Sequence, residues 1–116
     1  MLDISLKDLD SFHGTFYWYN VNGVNVTDGV KYVMDNGYDW VVKNAATAVR
    51  KNINVKGEEF LTIELKLLGN GKADVVYSDG NGNVLLEEDY EVTNAVKEFK
   101  LCYVRADNVM CLPMEY

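Results

Sequence analysis

The chain has 116 residues, 48% of them hydrophobic, with one histidine, two cysteines and a formal charge of −7 at neutral pH. That length suits one domain with one core, and the composition excludes a disordered or repeat chain. The negative charge disfavours a conventional nucleic-acid binder, whose phosphate contacts need an excess of Lys and Arg.

No run of about 18 apolar residues exists to cross a bilayer. Met1 to Asp8 mixes charged and apolar residues and lacks the apolar core of a signal peptide, so the expected location is cytoplasmic. Leu2, Leu6 and Leu9 then fall on one face of a short helix, with Asp3, Lys7 and Asp10 on the other. Thr15 to Tyr19, the aromatic run TFYWY, reads as a strand, and Asn20 to Gly23 as a turn. Val24 and Val26 make the return strand of a hairpin.

Thr27 is a helix N-cap type, and Asp28 suits the positive end of the helix dipole. Val30, Val33 and Met34 share a face, Asn36-Gly37 supplies a left-handed stop, and Asp39 caps a second helix, Trp40 to Lys51. Its alanines, with Val41, Val42 and Val49, imply close approach to a sheet. After Gly57 the period changes to two. Leu61, Ile63, Leu65 and Leu67 alternate with Thr62, Glu64 and Lys66. Asn70-Gly71 is a strong hairpin signal, and strands follow at Ala73–Tyr77, Val84–Asp89, Phe99–Tyr103 and Val109–Leu112. The expected fold is a single α+β domain over 1–116. It is an antiparallel meander of about five to six strands, with two or three helices on one face, and a helical half to residue 57 followed by a strand half.

Charge divides at the same point. Residues 1–57 hold six acids and six bases, while 58–116 hold twelve acids and five bases, so the second half carries the whole excess. If the strands pair as read, Glu64, Asp74, Glu87 and Asp89 project from the face opposite Leu65, Val75 and Leu86, and Glu91 and Glu58-Glu59 extend a negative rim. Two readings compete: a solvated face that confers solubility, or a docking face for a basic protein groove. Tyr17 and Tyr19, on one side of the aromatic strand, are either packed or part of a tyrosine-rich binding surface.

Recognisable catalytic and metal patterns are missing. His13 has no matching Ser or Cys motif. Zinc needs about four close Cys or His ligands, and Cys102, Cys111 and His13 lie far apart in sequence. Asp79-x-Asn81-x-Asn83 starts like a calcium loop but continues with Val84 and Tyr90 where glycine and glutamate are required, so a hairpin turn explains it. Asp28 is the best single acid–base candidate, and helix-start electrostatics accounts for it equally well. Cys102 and Cys111 read as reduced, buried thiols.

In order along the chain stand Phe12-x-Gly14-Thr15, Thr27-Asp28-Gly29-Val30, Trp40, Asp79-Gly80-Asn81-Gly82-Asn83-Val84-Leu85 and Leu112-Pro113-x-Glu115-Tyr116. This order resembles a small bacterial and phage-borne family of unknown function with F-x-G-T, T-D-G-V, a Trp-bearing helix and L-P-x-E-Y. The resemblance implies no catalytic residue and no cofactor. It associates the chain with mobile elements, whose small acidic proteins include anti-CRISPR inhibitors of host defence. The expected function is therefore a non-enzymatic acidic inhibitor, with nucleic-acid mimicry as its expected mode, in a host cytoplasm. Its expected partner is a protein with a basic surface that handles nucleic acid, with no direct contact to nucleic acid or membrane. The alternative expectation is an assembly or housekeeping domain that acts by homo- or hetero-oligomerisation, a homodimer included.

Overall fold

A computed structural model describes residues 17–91, 95 and 97–115. The expected helix at 2–9, the Phe12-x-Gly14-Thr15 motif and His13 lie outside the described residues. The first hairpin joins β1 (Tyr19–Val21) to β2 (Val24–Val26) through Asn22-Gly23, both with positive φ, +48° and +89°. Two such residues make the tight turn that matches strand twist, so Asn20 belongs to the strand and not to the turn expected over Asn20–Gly23. Tyr17 and Trp18 precede β1 instead of lying in a strand.

Helix α1 (Asp28–Val33) begins at Thr27, whose hydroxyl accepts the Val30 N–H at 3.4 Å. The chain kinks over Met34–Tyr38, where Gly37 takes φ +97°, and re-enters helix α2 (Asp39–Lys51). Asp39 makes no side-chain cap there; it pairs with Lys43 one turn on, at 3.3 Å. That exposed pair contributes only about 0.3–0.5 kcal/mol. The apolar stripe matters far more. Val41, Val42, Ala45, Ala46, Ala48 and Val49 are buried, and burying each valine fully is worth about 1.5–3 kcal/mol.

The remaining strands are β3 (Phe60–Gly69), β4 (Lys72–Ser78), β5 (Val84–Tyr90), β6 (Phe99–Val104) and β7 (Val109–Cys111). They form one seven-stranded sheet in the order β1-β2-β7-β6-β3-β4-β5. The architecture is α+β with one long helix and a mostly antiparallel sheet, larger than the five to six strands expected. Only β3-β4-β5 is a meander. After β5 the chain returns across two strands to lay β6 on the far side of β3, then turns through Asn108, φ +52°, into β7. The return passes the helix side, where Lys97 N–H donates to the Tyr38 hydroxyl at 3.0 Å and Phe99 meets the Tyr38 ring edge-on. Strand β7 runs parallel to β2, which welds the early hairpin into the sheet. No helix among the described residues is long and apolar enough to cross a membrane.

One face of the sheet is core. Leu61, Ile63 and Leu65 of β3, Ala73, Val75 and Tyr77 of β4, and Leu101 and Tyr103 of β6 pack beneath α1 and α2. Trp40 is half-buried and packs edge-on against Tyr90 of β5. Arg105 ties the layers together. Its guanidinium donates to the carbonyls of Glu58 at 2.6 Å, Val49 at 2.9 Å and Val55 at 3.0 Å, and lies over the Tyr103 ring. A cation at the last turn of α2 also suits the helix dipole. Arg105→Ala is expected to lower stability by about 3 kcal/mol, since three carbonyls lose a charged donor. Arg105→Lys should recover less than half, because one ammonium cannot fork to three acceptors; full rescue in denaturant titrations would refute this role.

Candidate functional site

The face of the sheet opposite the helices, termed the open face, is built by the period of two; at its β5 end Glu87 and Asp89 are exposed, while Val76, Cys102 and Cys111 are buried. The register sets its residues in rows across the strands. One row reads Lys66, Asp74, Asp89 over β3, β4 and β5. The next reads Lys100, Glu64, Val76, Glu87 from β6 to β5. A third holds Cys111, Cys102, Thr62 and Ser78. Negative charge therefore concentrates toward the β5 edge and gives way to thiol and apolar groups toward β7.

The acidic rows are internally frustrated. Asp74 and Asp89 stand directly opposite on neighbouring strands, where like charges destabilise. The shared hydrogen bond with Asp89, followed by burial and the charge of Asp89 itself, raises the Asp74 carboxyl above its usual range. Asp74 Oδ1 is buried and has no hydrogen-bond partner among the described residues. The ion pairs found among the described residues, Lys31–Asp35 and Lys43–Asp39, both lie on the helices and involve none of these carboxylates.

The opposite side of β5 is secured. Tyr77, buried in the core, donates its hydroxyl to Glu88 at 2.7 Å, and burial followed by that carboxylate pushes its ionisation far up. Tyr90 also donates to Glu88 and receives the Asn44 amide of α2 at 3.1 Å. Its hydroxyl is pushed up to about 12 by burial and then by Glu88. Glu88 is thus absorbed by the helix side, while Glu87 and Asp89 face out.

The other expected contact residues do not converge on this face. Glu91 follows β5 and extends its acidic edge. Glu58-Glu59 precede β3, at the end of that strand remote from Lys66, Asp74 and Asp89, so they do not continue the same rim. Tyr19 turns to the helix side, where Lys31 lies 5.6 Å from its ring, and burial followed by Asp28 raises its hydroxyl. Tyr17 is 68% exposed, but it belongs to the β1 edge, the sheet's opposite border.

A second constellation was not foreseen. Glu115, in a short 3₁₀ turn (Pro113–Glu115), reaches the start of α1. Its Oε1 accepts from the Thr27 hydroxyl at 2.6 Å and the Leu112 N–H at 2.8 Å, and its Oε2 from the Gly29 N–H at 3.1 Å. A carboxylate at this end satisfies orphan N–H groups and the dipole. A Cβ at Gly29 would lie 2.6 Å from both Glu115 Oε1 and Leu112 Cδ1, so a side chain there would push these two groups aside. Thr27-Asp28-Gly29 and Leu112-Pro113-x-Glu115 are therefore two halves of one clasp. Beside it lies an open cavity of about 620 Å³, walled by Trp18, Asn25, Val104, Val109 and Cys111. Asp28 is not among its described lining residues. Cys111 stands opposite Cys102, both thiols are free and buried, and burial followed by the neighbouring Cys102 and Glu115 pushes Cys111 up to about 12.

The calcium-like segment closes as a turn: Asp79 accepts the Asn81 N–H at 2.8 Å, the Asn83 N–H at 2.9 Å and the Asn83 amide at 3.0 Å. Those bonds, the Asn83 side chain first, lower its carboxyl. Among the described residues no three His, Cys, Asp or Glu side chains gather as a metal site.

Comparison with known proteins meets this geometry at the family level. The chain belongs to a family of unknown function (DUF6876). The family model matches residues 3–116, so the clasp and the acidic rows both fall within it. No curated protein matches, and no solved structure matches.

Two predictions follow from the geometry. Glu115→Ala should destabilise the fold by about 2 kcal/mol, since it leaves the Thr27, Gly29 and Leu112 donors without their acceptor; a loss below about 0.5 kcal/mol, typical of surface changes, would show the clasp to be incidental. Asp74 has the opposite sign. Its raised carboxyl gives stability that is present below the ordinary value of 3.8 and is lost as pH rises through the folded value. Asp74→Asn should therefore raise the Tm at pH 7, with the gain shrinking as pH falls toward 3.8. An equal gain at both pH values would exclude the Asp74–Asp89 repulsion as its source.

Proposed function

We propose that this chain is a non-enzymatic interaction protein that docks the acidic end of its open sheet face, Glu64, Asp74, Glu87 and Asp89, on a basic protein surface. The observation that carries the reading is the register, which sets Asp74 directly opposite Asp89 and places Glu64 and Glu87 in one row on either side of Val76, on the sheet face away from the helices. A protein selected only for solubility gains nothing from directly opposed carboxylates, which weaken the sheet. A basic partner removes that repulsion, so the strain in the free protein becomes affinity in the complex. Of basic protein surfaces, grooves that hold DNA or RNA present the densest positive charge. The partner proposed is a nucleic-acid-handling protein of a host defence system, blocked by occupation of that groove.

A second reading, self-assembly, is favoured by the exposure of Tyr17 and Trp18 beside β1, the border remote from the acids. Sedimentation of the wild-type chain separates the two: a dimer lost on Trp18→Ser supports assembly.

For the docking reading, binding to a panel of CRISPR effectors and other basic nucleases is the direct measurement. Affinity should fall steeply with salt, and Glu87→Lys with Asp89→Lys should weaken binding by roughly tenfold or more, mainly through the association rate. A complex indifferent to both would overturn electrostatic docking.

A further inference from the structure

We infer that β5 takes a partner by strand addition: a basic β-strand, with Lys or Arg at alternate positions, pairs with the outer edge of Val84–Tyr90 and completes the open-face rows. The inference rests on the acidic docking reading and supplies its mode.

Strand β5 ends the sheet order and spans seven residues, so every second residue turns an N–H and a C=O outward. Among the described residues no further strand covers that edge. It is not a frayed edge. Glu88 and Tyr90 anchor it to Tyr77 and Asn44 from the helix side, which presets an extended template and lowers the ordering needed on binding.

The rows specify the partner. Lys66, Asp74 and Asp89 run cation, anion, anion toward the edge, and Lys100, Glu64, Val76 and Glu87 run cation, anion, apolar, anion. Both end on a carboxylate two residues apart on the same strand face. A new strand with cations at positions i and i+2 would stand opposite Asp89 and Glu87 and bring both rows to neutrality. The Asp74–Asp89 pair gains most, since a cation opposite the exposed Asp89 offsets the repulsion on Asp74, whose Oδ1 is buried without a hydrogen-bond partner among the described residues. Self-pairing fails the same test. Two copies of β5 set antiparallel about Glu87 or Glu88 oppose carboxylate to carboxylate, so the edge rejects its own kind and accepts a basic strand.

Three seven-residue peptide probes test this against the full chain: Thr-Val-Lys-Val-Lys-Val-Thr; the same composition as Thr-Val-Lys-Lys-Val-Val-Thr, which puts the lysines on opposite faces; and the first peptide with its central amides N-methylated. The first should bind tightest by calorimetry and protect alternate β5 amides from hydrogen exchange. N-methylation should weaken it by roughly tenfold or more, because the strand's hydrogen bonds go. If the N-methylated peptide binds as well while Glu87→Lys with Asp89→Lys abolishes binding, strand addition is overturned and acidic docking stands. If neither change matters, both readings fall. Exchange protection at another strand, or a wild-type dimer built through β5, would also overturn the inference.

Discussion

The alternation of β3 is the constraint on which the rest of the molecule depends. It lies between β6 and β4, with Leu61, Ile63 and Leu65 turned to the helices and Thr62, Glu64 and Lys66 turned away. A strand's side-chain period is two, so a slip of one residue would exchange these sets and bury a carboxylate and an ammonium under α2. That penalty, several kcal/mol per buried ion, locks β3, and β3 in turn fixes the register of β4, β5 and β6. The acidic rows are thus a by-product of core burial in their geometry, though not in their composition: nothing in the core requires an acid at both Asp74 and Asp89.

Two polar clasps convert that sheet into a closed domain. Arg105 binds the end of α2 and the segment after it to the turn following β6, and Glu115 binds the chain's last described turn to the start of α1. Both use a charged side chain to satisfy backbone groups that a helix end leaves orphaned. Both also join residues far apart in sequence, Arg105 to Val49 at 56 positions and Glu115 to Thr27 at 88, so each forms only when the sheet has assembled. Thr27-Asp28-Gly29 and Leu112-Pro113-x-Glu115 meet for this structural reason.

The proposed function grows from the contrast between the two sheet faces. On the covered face Tyr77, Tyr90, Glu88 and Asn44 form a connected hydrogen-bond network. The open face keeps like charges opposed and a buried oxygen without a donor. In the proposed complex, a basic chain at the acid-rich edge strand relieves that repulsion.

Much of the architecture was legible in the residues alone, because it rests on short-range rules. Thr27 as a cap, Asn36-Gly37 as a break, the apolar stripe of Trp40 to Lys51, the Asn70-Gly71 hairpin and the alternation after Gly57 all act within a few positions. The same alternation placed Glu64, Asp74, Glu87 and Asp89 on one face. What the tertiary structure alone decided is everything set by pairing at long separation. It returned β6 to β3 rather than to β5, ran β7 parallel to β2, moved Glu58-Glu59 and Tyr17 away from the acidic rows, and turned Tyr19 under the helices. It also brought Glu115 to Thr27 and Gly29. Strand order beyond a hairpin costs only slowly growing loop entropy and leaves no local pattern, so the sequence could name the faces of each strand and its hairpin partner but not the long-range neighbours β6 of β3 and β7 of β2.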